Sequence, residues 1–211
     1  MKILIEFKNL LMETLKDNKR LIIGLYLTFI IFFVAAWILS GARVESAISN
    51  MPISNATSTP NMSADSAVEL FINNEWGGIV TYVFSIFFAI LAIIMLVYNA
   101  VNLGVLGQLF NQVIPNGGIK YIVYLIPHGI FEITATVLQS VAGVLLFIFI
   151  WRFIKAWRSN NTSGASEAFE KTKKILVQSI ILMIFSTILL LVAAPIEAYF
   201  SVPFSEFIIG P

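Results

Sequence analysis

The chain has one histidine, His128, which follows Pro127 and stands four residues before Glu132. Residues at i and i+4 share one face of a helix, so we expect the imidazole and this carboxylate side by side. A second carboxylate, Glu197, follows Pro195 near the end of the last long apolar stretch. One imidazole and two carboxylates are an acceptable ligand set for zinc or a harder divalent ion. These three residues are the candidate metal ligands.

Two helices joined by the 152–174 loop must bring these ligands together. Glu132 lies 20 residues before Arg152, and Glu197 lies 23 residues after Lys174. At about 1.5 Å of rise per residue, both carboxylates lie about 30–35 Å from the loop, which corresponds to the outer leaflet of a bilayer. If the two helices pack side by side, the histidine and the two acids meet at one depth.

Two other interpretations of this corner stay open. In the first, the imidazole and the carboxylates form a hydrogen-bonded network that holds helix ends together without any ion. In the second, they belong to a proton- or substrate-coupled carrier, because ionisable groups inside hydrocarbon are costly and usually functional. A catalytic metal needs a general base, and Glu75 is the nearest spare acid, so no catalytic residue is assigned.

Further polar residues occur near the ends of the apolar stretches, where they can extend the same site. Gln139 falls on the helix face of His128 and Glu132, and the others lie at the borders of the second and third predicted spans. The predicted polar network consists of Asn73, Asn74, Glu75, Asn99, Asn102 and Gln139.

Composition places all of these residues in a membrane. The chain is 58% hydrophobic and 12% charged, whereas soluble domains are about half apolar and about a quarter charged. A net charge of +1 gives no basis for a nucleic-acid partner. The absence of cysteine excludes disulfides and thiolate metal sites. We therefore expect an all-α membrane protein surrounded by lipid, which forms homo-oligomers or joins other membrane or cell-envelope proteins.

The basic residues predict its orientation in the cell membrane. Lys and Arg number five in residues 1–20 and six in residues 152–174, against one in residues 41–77 and none after residue 174. By the positive-inside rule, the N-terminus and the 152–174 loop are cytoplasmic. The C-terminus is then extracytoplasmic, and the parity of the spans requires about five crossings.

The predicted segments differ in character. The second, third and fourth crossings are expected over residues 79–98, 99–128 and 130–151, with the third short and broken near Pro115–Gly118. Asn55 and Asn61 begin tripeptides with N-glycosylation spacing, which chance explains equally well. The domains are 1–20, an interfacial amphipathic helix; 21–40, the first transmembrane helix; 41–77, an extracytoplasmic polar loop; 78–200, a transmembrane bundle; and 201–211, a C-terminal tail.

Four short motifs, taken in order, resemble one known family, the stage II sporulation protein M family. The most specific is the Pro-His-Gly-x-x-Glu motif of Pro127–Glu132, which stands at a span boundary. The others are Phe71–Asn74, Tyr98-Asn99 leading to Leu103-Gly104, and Ala193–Ala198. The resemblance covers roughly residues 68–200, and the chain departs from it with Asn102, where a small residue is usual.

This resemblance implies a multi-spanning membrane protein without established catalysis. In spore-forming bacteria such proteins resemble anchors that gather cell-wall hydrolases, and related chains also occur in organisms that never sporulate. We therefore expect a non-enzymatic scaffold that recruits partners through the 152–174 loop or the 41–77 loop. A metal-dependent membrane enzyme and a small oligomeric transporter are the competing functions. The positions that match the family are Asn73, Asn74, Asn99, His128, Gly129, Glu132 and Glu197.

Overall fold

A computed structural model of the chain describes residues 2–49, 64–159 and 164–210. The regular elements in these ranges are all helical, which confirms the predicted all-α class. The tripeptides at Asn55 and Asn61 lie outside the described residues. In chain order the elements are α1 (Lys2–Asp17), α2 (Lys19–Leu39), α3 (Gly41–Ser49), α4 (Ala64–Phe84), α5 (Ala89–Val113), α6 (Gly117–Trp157), α7 (Ala165–Ile196), a π-helical turn (Glu197–Ser201) and α8 (Val202–Ile209).

Four helical segments among the described residues are long and apolar enough to cross a bilayer. The last of them is continuous through α7, the π turn and α8. The prediction of several membrane-spanning helices is therefore confirmed. These segments are Lys19–Leu39, Ala89–Val113, Gly117–Trp157 and Ala165–Ile209.

The connection between α4 and α5 corrects the second predicted span. A single helix was expected over residues 79–98, but α4 ends at Phe84 and α5 begins at Ala89. The turn closes with i→i+3 hydrogen bonds, such as the one of 3.1 Å from the Phe87 N–H to the Phe84 carbonyl. The turn contains neither glycine nor proline, so the sequence has no local turn signal at this position.

The course of α5 corrects the third predicted span. Asn99 and Asn102, expected in or beside a broken segment, lie inside one continuous helix. The break falls after Val113, where Pro115 cannot continue a helix and Asn116 adopts a positive φ of 56°. It lies within the stretch where the sequence predicted a turn.

Helix α6 is longer than predicted. It begins at Gly117 and runs through Pro127 to Trp157, so the span expected over residues 130–151 is only its second part. Proline lacks the N–H that would bond the carbonyl four residues earlier, and it was expected to mark a boundary. The predicted polar loop and C-terminal tail also contain helices, since α3 and the first part of α4 lie within residues 41–77, and α8 lies within the tail.

The described helices form two compact units. The first unit consists of Met1–Leu27, Glu75–Leu96 and Thr134–Ile188, and the second consists of Thr28–Asn74, Val97–Ile133 and Leu189–Pro211. Helices α2, α4, α5, α6 and α7 each contribute residues to both units.

Small residues allow close helix contacts in the first unit. A Cβ on Gly143 would lie 2.7 Å from the Ser85 hydroxyl and 3.1 Å from Ala92, so α6 approaches the α4–α5 turn closely because residue 143 has no side chain. At the basic end of this unit, Lys174 of α7 pairs with Glu13 at 2.8 Å and with Asp17 at 2.9 Å. These pairs fix α1 against α7.

In the second unit, glycines likewise allow close helix contacts, here around an aromatic core. A Cβ on Gly107 would lie 2.0 Å from the Trp37 ring, and one on Gly104 would lie 2.3 Å from the Phe33 carbonyl oxygen. The Trp37 ring packs against Tyr121, with 5.6 Å between ring centroids. The Tyr121 hydroxyl donates to the Leu103 carbonyl at 3.0 Å. Helices α2, α5 and α6 are thereby locked together in the part of the chain that carries His128.

Candidate metal centre

Two side-chain rows with a spacing of four residues meet in the second unit. The first row is on α6 and contains Tyr124, His128 and Glu132. The second row is on the π turn and contains Glu197 and Ser201. Pro195 stands just before this turn, and π-helical turns of this kind occur frequently at functional sites. The two rows face each other, and we call His128, Glu132 and Glu197 the His128 centre.

The hydroxyl of Ser201 sets the orientation of the imidazole. It lies 2.8 Å from His128 Nδ1 and 3.2 Å from the Ile196 carbonyl. When the hydroxyl donates to that carbonyl, it accepts from Nδ1–H, and the neutral ring is the Nδ1-protonated tautomer. Nε2 then carries a lone pair, which is the form in which histidine binds metals.

The lone pair of Nε2 faces two carboxylates at distances too long for hydrogen bonds. Glu132 Oε2 is 3.9 Å from Nε2, and Glu197 Oε1 is 4.0 Å from it. The imidazole is nearly inaccessible, at 3% exposed, whereas the Glu132 and Glu197 side chains are 21% and 19% exposed. The three ligand atoms all lie within 4.8 Å of one another. The space between them matches one cation.

Neighbouring polar groups hold both carboxylates in place. The Tyr124 hydroxyl donates to Glu197 Oε1 at 3.2 Å, and the Asn74 side chain of α4 hydrogen-bonds Glu132. Together with Ser201 on the imidazole, each of the three ligand side chains has an outer partner. Such partners orient first-shell ligands in metal sites.

A cavity of about 340 Å³ opens beside the centre, entirely within the second unit. His128, Glu132 and Glu197 all line it, so a bound ion would have one side open to small molecules. Its other polar lining residues are Lys120, Tyr121, Tyr124, Ser205 and Glu206, and its apolar lining residues are Leu103, Leu106, Phe110, Ile114, Leu125 and Val202.

The charges of the centre favour a cation. Two carboxylates face one neutral imidazole, and like charges brought close together in a poorly hydrated site repel each other. A divalent ion offsets both carboxylates and uses the Nε2 lone pair. Without an ion, a proton must take its place.

The predicted network residues separate into three groups. Asn74 reaches the His128 centre. Glu75 and Gln139 contact each other at 3.3 Å in the first unit, where Thr187 also donates to Glu75 at 2.7 Å. The remaining three, Asn73, Asn99 and Asn102, are exposed residues that the structure does not bring to the centre.

The sequence reading missed Ser201 and Tyr124. The sequence contained a signal for both, because residues four apart share a helix face. Ser201 follows Glu197 by four residues, and Tyr124 precedes His128 by four. Thr187 carried no such signal, since its contact with Glu75 depends on how α7 packs against α4.

Comparison with known proteins gives one match. The family model described as stage II sporulation protein M matches residues 24–202, which is most of the chain. Comparisons with curated proteins and with solved structures gave no match. The matched range contains the His128 centre, Asn74 and Ser201, and it begins after α1.

Proposed function

Because this multi-pass membrane protein belongs to the stage II sporulation protein M family, we propose that it is a non-enzymatic scaffold whose bundle binds a divalent cation at the His128 centre. One observation carries the proposal. His128 Nε2 faces two carboxylates at 3.9 and 4.0 Å with no hydrogen bond to either, while the Ser201 hydroxyl contacts Nδ1 at 2.8 Å. The ion joins α6 to the π turn and, through Asn74, to α4.

The ligand distances suit a divalent ion somewhat larger than zinc, and they suit zinc after a small closure of the site. Zinc binds histidine nitrogen at about 2.0–2.1 Å and carboxylate oxygen at about 2.0–2.2 Å with tetrahedral angles, so its ligand atoms lie about 3.4 Å apart. The separations of 3.9 and 4.0 Å from Nε2 therefore require each carboxylate to approach the imidazole by about 0.5 Å around zinc. The full spread of up to 4.8 Å requires the two carboxylates to approach each other by about 1.4 Å. Oxygen ligands at about 2.3–2.6 Å, as calcium takes, need no such movement.

Elemental analysis of protein purified in detergent tests the proposal. We expect about one zinc, manganese or calcium ion per chain in the wild type, and background metal in His128→Ala. Glu206→Gln is the matched control, because Glu206 lines the same cavity but is not one of the three grouped ligand residues, and it should keep the ion. Equal metal content in wild type and His128→Ala, or no bound metal after equilibration with each of the three ions, would contradict it.

A metal-dependent membrane enzyme is the second candidate, and the cavity is the observation that favours it. Three protein ligands with an open side are the arrangement of catalytic rather than structural zinc sites. Within the described part of the chain we identify no general base positioned beside the ligands, so the scaffold is preferred. If metal-loaded protein hydrolyses esters or phosphoesters, and both His128→Ala and Glu132→Gln abolish the activity, the enzyme replaces the scaffold.

We propose five crossings, formed by α2, α4, α5, α6 and the segment from α7 to α8. Helix α4 is the fifth proposed crossing, in addition to the four strongly apolar segments. Its first half is more polar than its second half. With five crossings, the basic N-terminus and the 152–174 loop are both cytoplasmic, in agreement with the positive-inside rule. With only four crossings, in which α4 does not span the membrane, the N-terminus and the 152–174 loop lie on opposite sides. Helix α1, which exposes Ile3 and Leu4, then lies along the cytoplasmic surface and contacts lipid.

Single cysteines test this topology cleanly because the chain has none of its own. Glu6→Cys, Phe87→Cys and Ser159→Cys should react with an impermeant thiol reagent only from the cytoplasmic side, and Asn116→Cys only from outside. Labelling of Glu6→Cys and Phe87→Cys from opposite sides would overturn the five-crossing arrangement.

Crosslinking in native membranes tests the recruitment of partners. A scaffold of this kind should be recovered with other cell-envelope proteins, through the 152–174 loop or the 41–77 loop, in addition to other copies of itself. Replacement of residues 50–63 or of residues 158–164 by a glycine–serine linker leaves the helices in place, and it should remove those partners and leave self-contacts intact. Recovery of self-contacts alone would exclude the scaffold.

A further inference from the structure

The cavity beside the His128 centre is larger than a metal ion and its water require. Its volume is about 340 Å³, and at about 30 Å³ for one water molecule it has room for about eleven groups of that size. Pockets that bind small molecules have volumes from about 300 Å³ upward. The cavity therefore has the size of a binding site for a small organic molecule.

One wall of the cavity is an apolar stripe on α5. Leu103, Leu106 and Phe110 line it, and spacings of three and four residues place them on one helix face. We call these three residues the α5 stripe. Leu125 of α6 and Val202 of α8 add further apolar surface. Because burial of apolar surface is the main favourable contribution to binding, this wall favours a ligand that is itself largely apolar.

The hydroxyl groups that line the cavity already donate their protons within the protein. Tyr121 and Ser205 each donate to a backbone carbonyl, at 3.0 and 3.3 Å, and Tyr124 donates to Glu197 Oε1 at 3.2 Å. A hydroxyl group has one proton, so these three groups cannot also donate to a ligand. A phosphate or sulfate group, which carries several acceptor oxygens, would find few donors here.

The ion of the proposed function supplies the polar contact that the hydroxyl groups do not. All three ligand residues of the His128 centre line the cavity, so the open side of the ion faces it. A carboxylate can bind a metal ion through one or both of its oxygens. In that position it needs no hydroxyl donor, and its chain is left to contact the α5 stripe.

The charges around the cavity suit one added negative charge. A divalent ion offsets the two carboxylates of the His128 centre. Of the described residues that line the cavity, Lys120 has the one side chain that stays cationic around pH 7, and it is half-buried. Glu206 also lines the cavity, but it is exposed, so salt and water screen its charge. A ligand with a charge of −1 therefore balances the interior.

We propose that the cavity binds an apolar monocarboxylate, the chemical class of the fatty acids, with its carboxylate on the ion and its chain on the α5 stripe. This inference rests on the proposed metal site, because without an ion the two carboxylates of the centre would repel a third. The volume limits the enclosed part of the ligand to about ten carbon atoms.

The visible absorption of the cobalt(II)-loaded protein in detergent at pH 8 tests the proposal. Cobalt(II) accepts the same imidazole and carboxylate ligands as zinc, and its visible bands change when a new ligand binds. Hexanoate should change these bands saturably and should bind at least about tenfold more tightly than acetate, because it buries four more methylene groups. 1-Hexanol has the same chain length without the carboxylate and should leave the bands unchanged.

Two kinds of failure are distinguishable in this experiment. If cobalt is bound, equal affinities for hexanoate and acetate would overturn the proposal and leave the metal site intact. Tighter binding of hexyl phosphate than of hexanoate would also overturn it, since the ligand class would then be wrong. If the protein binds no cobalt before any ligand is added, the metal site and the proposal fail together.

Leu106→Gln tests the placement of the chain. Leu106 is 40% exposed, so the fold should tolerate glutamine there, but the polar side chain interrupts the α5 stripe. Its affinity for hexanoate should fall at least about threefold, while its cobalt content and its affinity for acetate stay at the wild-type values. Val105→Gln is the matched control, because Val105 is the exposed neighbour of Leu106 on α5, and it should bind hexanoate as the wild type does. Equal hexanoate affinities in both variants would contradict the proposed placement.

Discussion

The His128 centre and the Glu75 cluster, which consists of Glu75, Gln139 and Thr187, are built from the same helices but differ in how their acids are satisfied. In the cluster, both oxygens of one carboxylate are met at hydrogen-bond distance, 2.7 and 3.3 Å, by neutral donors. In the centre, two carboxylates stand 3.9 and 4.0 Å from His128 Nε2 and form no hydrogen bond with it. Side chains alone satisfy the first acid, whereas the second arrangement leaves space for the proposed cation.

Neighbouring residues of α4 divide between the two sites. Asn74 hydrogen-bonds Glu132, whereas Glu75 accepts from Gln139, which lies seven residues or two turns after Glu132 on α6. Glu132 and Glu75 are the same residue type, so the difference between them comes from the groups that face each carboxylate.

Among the variants that test the difference between the two sites, Ser201→Ala should have the largest effect. Loss of the hydroxyl frees the imidazole to rotate or to change tautomer, so metal affinity should fall by about 10–100-fold. The measurement is competitive titration of purified protein with a zinc indicator.

Ser205→Ala is the matched control for that experiment. Ser205 lines the same cavity but bonds the Lys120 carbonyl at 3.3 Å instead of the imidazole. Its affinity for zinc should match wild type. Equal affinities in all three proteins would mean that Ser201 does not position His128.

Gly78→Ala tests the Glu75 cluster with an intermediate effect. A Cβ at residue 78 would lie 2.2 Å from Gln139 Nε2, so the new methyl group displaces the amide. Crowding of this kind typically lowers the free energy of unfolding by about 1–3 kcal/mol. Metal content should not change. The measurement is thermal unfolding in detergent, together with elemental analysis.

The adjacent glycine provides an internal comparison. A Cβ on Gly77 meets nothing within 4 Å, and alanine favours helix over glycine by about 1 kcal/mol. Gly77→Ala should therefore be neutral or stabilising. If Gly78→Ala proves as harmless as Gly77→Ala, the amide is not held as described.

The contact between α1 and α7 should give the smallest effect, since it is exposed. The Lys174 ammonium, and secondly the Gln178 amide, lower the pKa of the Asp17 carboxyl. A lowered folded-state pKa contributes stability above the unfolded value of about 3.9 that is lost as the pH falls through the folded value. Asp17→Asn should therefore melt slightly earlier than wild type at pH 6, and the difference should shrink as the pH falls below about 3.9. A difference that grows on acidification would contradict this sign.

Sequence reasoning predicted the grouping of His128, Glu132 and Glu197 because their signals are local. His128 and Glu132 share a helix face by spacing, and the loop lengths gave Glu197 the same depth. It misplaced the second and third spans because the turn after Phe84 contains neither glycine nor proline. It also treated Pro127 as a boundary, whereas tertiary packing carries α6 through it. The contact between Thr187 and Glu75 depends on packing, which no spacing rule reveals.

A crystal structure of protein grown with zinc, with anomalous data at the zinc edge, tests the central claim most directly. We predict one peak about 2.0–2.2 Å from His128 Nε2 and from one oxygen each of Glu132 and Glu197. A centre without a peak, in which Nε2 instead forms a direct hydrogen bond with one of the carboxylates, would contradict it.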